Sequence, residues 1–183
     1  MSMALPEALV DALCRLPTLQ VGDITLRDAT EADEQDIAAY RYDKSLYTHY
    51  GTKPPRRKPF APHKLGQKAQ DLTWYIQYRG RIVGECFVWR IVDGRMGAVG
   101  YIIAKDAQGK GVAGRAVSAM ILHCLTELPF TRLYAQVSTA NPASARVLEK
   151  AGFAREGLVR QGKMMSVYCD HWIYGILRED VVK

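Results

Sequence analysis

The chain has 183 residues, of which 48% are hydrophobic and 24% are charged, and its formal net charge at pH 7 is +6. This length and composition are typical of one globular domain that buries its own core without disulfide or metal support. Charge or glycine interrupts every long apolar stretch, and Glu7 and Asp11 interrupt the apolar pattern near the start. We therefore predict a single domain over residues 1–183, with no membrane helix and no secretory signal.

The four cysteines are spread far apart, and no pair has the spacing of metal ligands. A chain of this length does not need a disulfide framework. We expect free thiols in a reducing cytoplasm, with Cys86 and Cys124 buried in an apolar strand and on an apolar helix face. No metal site is predicted.

The N-terminal part of the chain predicts a helix, a strand and a second helix. A short amphipathic helix is expected within residues 1–20, and the alternating segment Asp23–Arg27 predicts a strand. Thr30 with Asp33 resembles an N-cap, so a helix is expected from there to about Tyr42. The strand therefore runs directly into the second helix.

The segment 51–70 is basic and proline-rich. It holds six Lys or Arg side chains and no acid, which equals the whole positive excess of the sequence. Its prolines exclude a continuous helix or a central strand, so we predict a long loop with one short helix near Lys64. An anionic partner would be attracted mainly to this loop. The alternative is a solvated loop without a partner.

Three β-rich runs follow the basic loop. They cover Leu72–Tyr78, Ile82–Ile91 and Met96–Ile103, and the turn sequences Arg79-Gly80 and Asp93-Gly94 separate them. Runs of this kind joined by short turns are typical of β-hairpins. The sequence therefore predicts an antiparallel meander of three strands.

The C-terminal part predicts two helices and two strands. Apolar residues recur at helical spacing over Gly111–Leu125, Leu133–Val137 alternates like a strand, and Pro142–Gly152 has the start and stop signals of a helix. A less regular stretch containing Gly157 and Gly162 is expected next, and Val167–Leu177 is expected to form a last strand.

The run Gln108–Ala113 lies between a predicted strand and a predicted helix, where backbone N–H groups and the helix dipole can bind an anion. Gly109 and Gly111 permit a positive φ and close approach, while Lys110 and Arg115 add positive charge. The run lacks the Gly-Lys-Ser/Thr ending of nucleoside triphosphate sites and the GxGxxG spacing of dinucleotide sites. Nucleotide hydrolysis and hydride transfer are therefore disfavoured. The alternative for the run alone is a solvated loop.

Two spaced motifs resemble those of the GNAT acetyltransferase superfamily. Gln108, Gly111 and Ala113 match its acetyl-coenzyme A signature Gln/Arg-x-x-Gly-x-Gly/Ala in register. The block Asn141–Phe153 resembles the Asn-x-x-Ser-x-x-x-Leu/Tyr-Glu-Lys-x-Gly-Phe sequence of the RimJ/RimL-type subgroup. The resemblance covers nearly the whole chain beyond residue 22.

The resemblance implies an α+β fold, in which one domain has a central, mostly antiparallel, splayed sheet flanked by helices. It also implies acetyl-CoA as cosubstrate, with its pantetheine arm between the strands Met96–Ile103 and Leu133–Val137. The implied reaction is transfer of the acetyl group to a primary amine, by direct attack of the amine within a ternary complex.

Site residues follow from the same resemblance, position by position. The backbone around Tyr101, Ile102 and Ile103 would pair with the pantetheine amides, and Asn141 would hydrogen-bond the cofactor arm. Ser144 would protonate the leaving thiolate, and its alternative role is a local hydrogen bond at the helix N-terminus. The pyrophosphate would be bound by Gln108, Gly109, Lys110, Gly111, Val112 and Ala113.

The general base is left open by the sequence. Many relatives place Glu before the Ile-Gly-Tyr of the corresponding strand, but this chain has Ala98 there. Glu85 is the first candidate, because a carboxylate in an apolar strand can have a raised pKa. Asp170 and His171, near the last strand, are the alternatives.

The acceptor is also left open, although the subgroup's best-known acceptors are protein N-terminal α-amines. Small amines, such as amino sugars and polyamines, are the alternative, and the basic loop disfavours a polycation. A non-catalytic acyl-CoA sensor would explain Ala98. A nucleic-acid-binding module is disfavoured because base-reading motifs are absent, except for indirect ribosome contact through the basic loop. A second copy of the chain is a further candidate partner.

Overall fold

The computed structural model describes residues 5–56 and 71–181, which form one eight-stranded sheet flanked by helices. The strands are β1 (Leu19–Val21), β2 (Ile24–Arg27), β3 (Leu72–Tyr78), β4 (Arg81–Val92), β5 (Met96–Ile103), β6 (Arg132–Ser138), β7 (Ala154–Met164) and β8 (Val167–Leu177). The α-helices are α1 (Glu7–Cys14), α2 (Glu34–Arg41), α3 (Val112–Thr126), α4 (Pro142–Lys150) and α5 (Arg178–Val181). No helix within these described ranges is both long enough and apolar enough to cross a membrane.

The strands lie in the order β1-β2-β3-β4-β5-β6-β8-β7. Neighbours pair antiparallel except β5 and β6, which are parallel because α3 crosses over between them. The α+β class, the mostly antiparallel sheet and the β3–β4–β5 meander are therefore confirmed.

Two strands differ from the sequence prediction. The less regular stretch containing Gly157 and Gly162 was not predicted to be a strand, but Ala154–Met164 forms β7 at the edge of the sheet. Nearly all of its side chains are exposed, so it lacks the apolar alternation of a half-buried strand. Its pairing with β8 is also interrupted between Val159 and Gly162, where Gln161 has a φ of 47°. The three-residue β1 was likewise not predicted.

The main core lies between the sheet and the face covered by α1, α3 and α4. Its largest fully buried side chain is Trp74, and both Cys86 and Cys124 are fully buried free thiols. Every apolar residue that predicted the α3 helix is buried: Val112, Ala116, Val117, Met120, Ile121, Cys124 and Leu125.

A smaller core lies on the opposite face of the sheet, under α2. Ile37 and Tyr40 of this helix pack against Ile82 of β4 and Ile102 of β5. The sheet is therefore covered on both faces where β4 and β5 cross its middle.

The sheet splays open between β5 and β6. The two strands pair only at Met96–Arg132, Gly97–Leu133 and Ala98–Tyr134, and they separate beyond Ala98. Strand β6 remains paired with β8 along its whole length, and β5 remains paired with β4 as far as Ile103. The backbone of β5 after Ala98 therefore has no strand partner on its β6 side, where its polar groups need another partner.

Most of the basic loop predicted at 51–70, including the short helix near Lys64, lies outside the described residues. Its start is described as far as Arg56. The Gly51 carbonyl oxygen accepts hydrogen bonds from the Ser166 amide and from the Ser166 hydroxyl, both at 2.9 Å. The chain entering this loop is therefore attached to the turn between β7 and β8.

We expect Gly84→Ala to lower the free energy of unfolding by about 1–3 kcal/mol, the usual range for overpacking. A Cβ at Gly84 of β4 would overlap the backbone carbonyl oxygen of Ile102 and lie 3.0 Å from Ile103 Cδ1. Gly157→Ala is the control, because a Cβ there would meet no heavy atom within 4 Å. Urea unfolding followed by circular dichroism measures both, and equal stability of the two variants would contradict the prediction.

Candidate active site

An open cleft of about 490 Å³ follows the separation of β5 and β6. We call it the α3 cleft; its walls are the end of β5, the turn before α3, and the first turns of α3 and α4. Of the turn residues predicted to bind pyrophosphate, Lys110 alone is absent from the lining. The predicted cofactor residues that line it are Tyr101, Ile102, Ile103, Gln108, Gly109, Gly111, Val112, Ala113, Asn141 and Ser144.

The turn before α3 has the geometry of an anion site. Gly109 and Gly111 both have a φ of 73°, in the left-handed region that favours glycine. A Cβ at either position would meet no heavy atom of the described chain within 4 Å, so the space around the turn is open. Gly111 is the N-cap of α3 without a side-chain capping bond, which leaves the first N–H groups of this 15-residue helix for a ligand.

The side chains of this turn serve structural roles. Gln108 donates from Nε2 to the Ile103 carbonyl oxygen at 2.9 Å, which holds the turn against the end of β5. Arg115 forms an ion pair with Asp23, in the turn between β1 and β2. The anion site therefore consists mainly of backbone N–H groups.

Two cations that the sequence reasoning missed line the α3 cleft. Arg146 and Lys150 lie one turn apart on α4, and their spacing of four residues places them on one face. In the sequence, this i,i+4 spacing on a predicted helix was the signal that could have identified the two cations. Guanidinium and ammonium groups bind phosphates well, so the cleft has positive charge on its α4 side as well as N–H groups on its α3 side.

A second cavity, of about 80 Å³, lies between β4, β5, β6 and the end of β7. We call it the aromatic cavity. Ala98, the position where relatives often have Glu, is part of its lining, and no Asp or Glu of the described residues lines it. Its histidine, aromatic and methionine side chains are His49, Tyr50, Phe87, Trp89, Tyr101, Tyr134, Met164 and Met165.

The two cavities share four lining residues, namely Tyr50, Tyr101, Asn141 and Ser144. The Tyr101 hydroxyl lies 2.6 Å from Ser144 Oγ, and it donates to the Ser144 carbonyl oxygen at 3.1 Å. The predicted role of Tyr101 involved only its backbone, so sequence reasoning missed this hydroxyl. A molecule in one cavity and a molecule in the other would meet at Ser144.

Ser144 is fixed at this junction by the start of α4. Its backbone N–H donates to Asn141 Oδ1 at 3.1 Å, so Asn141 is the N-cap of the helix. The Ser144 hydroxyl hydrogen-bonds to Tyr101. Burial raises the pKa of Tyr101 to about 12, so its phenol stays protonated at neutral pH.

Glu85 lines neither cavity. Its carboxylate forms an ion pair with Arg41 and accepts a hydrogen bond from the Tyr40 hydroxyl at 2.9 Å. The pKa of Tyr40 is raised far above its usual value. Burial is the largest cause, and the negative charge of Glu85 is the second. Burial, the largest single cause, lowers the pKa of Arg41, but the charges of Glu85 and Tyr75 and the hydrogen bonds to both together outweigh it, and the pKa is raised. Glu85 thus belongs to an ionic network under α2, and its role as a base stays a prediction.

The alternative bases also lie outside both cavities. Asp170 accepts a hydrogen bond from the Gln161 amide at 2.8 Å, which holds the irregular part of β7. His171 is buried, and its Nδ1 lies 3.1 Å from the Cys169 carbonyl oxygen.

Within the described ranges, no group of three or more His, Cys, Asp or Glu could hold a metal ion.

Comparisons with known proteins agree with this geometry. The family model described as "Acetyltransferase (GNAT) domain" matches residues 23–154. The probable N-acetyltransferase YjcK of Bacillus subtilis is 36% identical over 103 residues, which are 55% of this chain and 57% of that protein. The chain thus spans little more than half of that relative's length.

Two solved structures share the fold. The spermidine N-acetyltransferase from Vibrio cholerae, in complex with CoA and spermine, has a TM-score of 0.73 at 18% identity, covering 89% of this chain and 100% of that one. The ribosomal-protein-S5-alanine acetyltransferase from Vibrio fischeri has a TM-score of 0.72 at 22% identity, covering 91% and 100%.

A family model that matches most of the chain, together with the open sheet, the glycine turn before α3 and the polar junction at α4, identifies the class of protein as an acetyltransferase. The chain belongs to the GNAT acetyltransferase family and is an acetyl-CoA-dependent acetyltransferase. The resemblance to the superfamily and to its RimJ/RimL-type members, first indicated by two motifs, is confirmed.

We expect Glu85→Gln to lower the free energy of unfolding by about 1–3 kcal/mol, because Arg41 loses its charged partner. Asp33→Asn is the control, since it removes the carboxylate from another partly buried pair, with Arg27 at 2.8 Å, away from both cavities. Urea unfolding and steady-state acetyl transfer are measured on both variants. A tenfold or larger loss of kcat at unchanged stability would contradict this structural role and identify Glu85 as the base.

Proposed function

We propose that the protein acetylates protein N-terminal α-amines, with acetyl-CoA in the α3 cleft and the amine in the aromatic cavity. The observation that supports this most is the set of side chains shared by the two cavities, with Ser144 and Tyr101 at its centre. Direct attack requires both reactants to be present together, and the two cavities provide adjoining sites for them.

The α3 cleft fits coenzyme A in shape and charge. The N–H groups around Gly109 and Gly111, together with Arg146 and Lys150, would hold its phosphates. The edge of β5 from Val99 to Ile103 has no strand partner, although the Ile103 carbonyl oxygen accepts from Gln108, and this edge would bind the pantetheine amides as a strand partner would. Asn141 uses Oδ1 for capping, which leaves its amide N–H groups for the cofactor arm. Bound acetyl-CoA supplies the activated thioester carbonyl.

Ser144 is proposed as the acid and Tyr101 as its positioning residue. As the neutral amine attacks, the C–N bond forms and the C–S bond breaks; the Ser144 hydroxyl would donate its proton to the leaving sulfur and take up the proton that the amine nitrogen loses, so that it ends as a hydroxyl. Tyr101, which is protonated at neutral pH and 2.6 Å from Ser144 Oγ, would orient that hydroxyl.

Among the described residues, no carboxylate lines the aromatic cavity, and this supports an α-amine as acceptor. An α-amine has a pKa near 7.7–8.0, so roughly a tenth or more of it is neutral at pH 7 without a base. A lysine or polyamine ammonium, with a pKa near 10.4, is less than about 0.1% neutral at that pH. Ala98 in the cavity lining is therefore compatible with an N-terminal acceptor and unfavourable for a polyamine.

A cytoplasmic location belongs to the same proposal. All four cysteines are free, which suits a reducing compartment. The alternatives are a small-amine acetyltransferase and an acyl-CoA sensor. Neither would acetylate peptides, so turnover with peptides distinguishes both from the proposal.

We expect Ser144→Ala to lower kcat by about a hundredfold, while acetyl-CoA affinity changes by less than about threefold, because the acid acts only in the transition state. Tyr101→Phe should lower kcat by about tenfold, since Ser144 keeps its proton but loses its orientation. Single-turnover kinetics and calorimetric titration with acetyl-CoA separate the two quantities. An equal loss of kcat and affinity in Ser144→Ala would exclude its role as acid.

The acceptor is tested by following thiol release from acetyl-CoA with three substrates: a peptide with a free N-terminus, an N-terminally blocked peptide with one lysine, and spermidine. We expect the free N-terminus to be preferred by about a hundredfold at pH 7, with kcat/KM rising through pH 8 toward a plateau near about pH 9, where the α-amine is almost fully neutral. Faster turnover of spermidine would refute the α-amine proposal. Binding of acetyl-CoA without turnover of any amine would support the sensor.

A further inference from the structure

Arg90 occupies a strained position on the wall of the aromatic cavity. It lies where the pairing of β4 and β5 is interrupted between Trp89 and Val92, and its φ is 48°. Non-glycine residues rarely adopt this conformation, which clusters at binding and catalytic sites. The bulge turns the side chain of Arg90 back along its own strand.

The Arg90 guanidinium stacks on the ring of Trp89, with Cζ 4.3 Å from the ring centroid. Stacking of this kind covers one face of the guanidinium and leaves the N–H donors at its edge for a planar anion. No Asp or Glu of the described residues forms an ion pair with Arg90, and residues 57–70 contain no acid. Its charge is therefore available to a ligand.

The rest of the cavity wall suits an apolar group. Phe87 and Tyr134 provide aromatic surface from β4 and β6, and Met164 and Met165 provide flexible thioethers from the end of β7. Methionine side chains adapt to apolar groups of different shape. The cavity thus combines this apolar surface with the positive charge of Arg90, and His49, Gln136 and Asn141 are polar members of its lining.

We infer that the aromatic cavity selects acceptors with an apolar group next to the amine and a carboxylate that Arg90 binds. This inference rests on the proposed function and narrows it to N-terminal segments that begin with an apolar residue and continue with Asp or Glu. The positive charge of Arg90 also disfavours an ammonium nearby, so it helps to keep the attacking amine neutral. Acceptors with a second positive charge are rejected for the same reason.

The experiment uses the full-length protein, acetyl-CoA and two peptides that differ only in having Glu or Lys at the second and third positions after an N-terminal Met. Arg90→Gln is compared with Arg79→Gln. Arg79 is a matched control because it also has a positive φ, 53°, stacks on the preceding aromatic residue, Tyr78, and lines neither cavity.

For the unmodified protein and for Arg79→Gln, we expect kcat/KM for the Glu peptide to exceed that for the Lys peptide by about tenfold or more. In Arg90→Gln this preference should fall to about twofold, mainly through a higher KM for the Glu peptide. In the unmodified protein, 0.5 M salt should reduce the preference, because ionic screening weakens an exposed charge pair. Equal preference in Arg90→Gln and Arg79→Gln would overturn the inference.

A second pair of amines, phenylalanine and phenethylamine, distinguishes failure of the proposed function from failure of this inference. Of the two, only phenylalanine has a carboxylate. Turnover of this pair without turnover of any peptide would refute the peptide acceptor, and the Arg90-dependent preference for phenylalanine would still test the inference. Turnover of peptides without a preference for Glu would overturn the inference and leave the proposed function standing.

Discussion

The early separation of β5 from β6 is the constraint on which the rest of the site depends. Only three residue pairs join the two strands, so the sheet carries an unpaired backbone edge in its interior. Buried backbone groups need partners, and a ligand with amides at strand-like spacing can satisfy them. The same separation brings the starts of α3 and α4 to the edges of the gap, one supplying N–H groups and the other Ser144.

The helix cap of α4 connects the structural and chemical roles of this region. Asn141 terminates the loop after β6 and stabilises the first turn of the helix through the Ser144 amide. The same turn presents the Ser144 hydroxyl to Tyr101, which comes from β5 on the other side of the gap. Formation of the helix and placement of the hydroxyl are therefore one event, and a change at Asn141 would disturb both.

The sequence was informative where backbone geometry demands particular residues. Gly109 and Gly111 occupy left-handed positions, and Asn141 caps a helix, so the turn and the α4 start could be located before the fold was known. The exposed edge strand β7 was missed because exposed strands lack apolar alternation. Elements with buried faces, such as α3, were predicted within a few residues of their ends.

The aromatic cavity could not be read from the sequence because its wall is assembled from distant segments. Phe87, Tyr134 and Met164 are adjacent only after β4, β6 and β7 take their places in the sheet. The surroundings of Glu85 could not be predicted from the sequence for the same reason. Its apolar surroundings in the sequence suggested a free carboxylate with a raised pKa, but its partner Arg41 comes from a helix 44 residues earlier.

The attachment of Gly51 to Ser166 has a kinetic consequence. The residues just before Gly51 and just before Ser166 both line the aromatic cavity, so two hydrogen bonds of 2.9 Å close one side of it. Parting them would cost about 1–2 kcal/mol, which would slow opening on that side roughly five- to thirtyfold. An acetylated product that leaves past these two hydrogen bonds would be released at a rate independent of the speed of acetyl transfer.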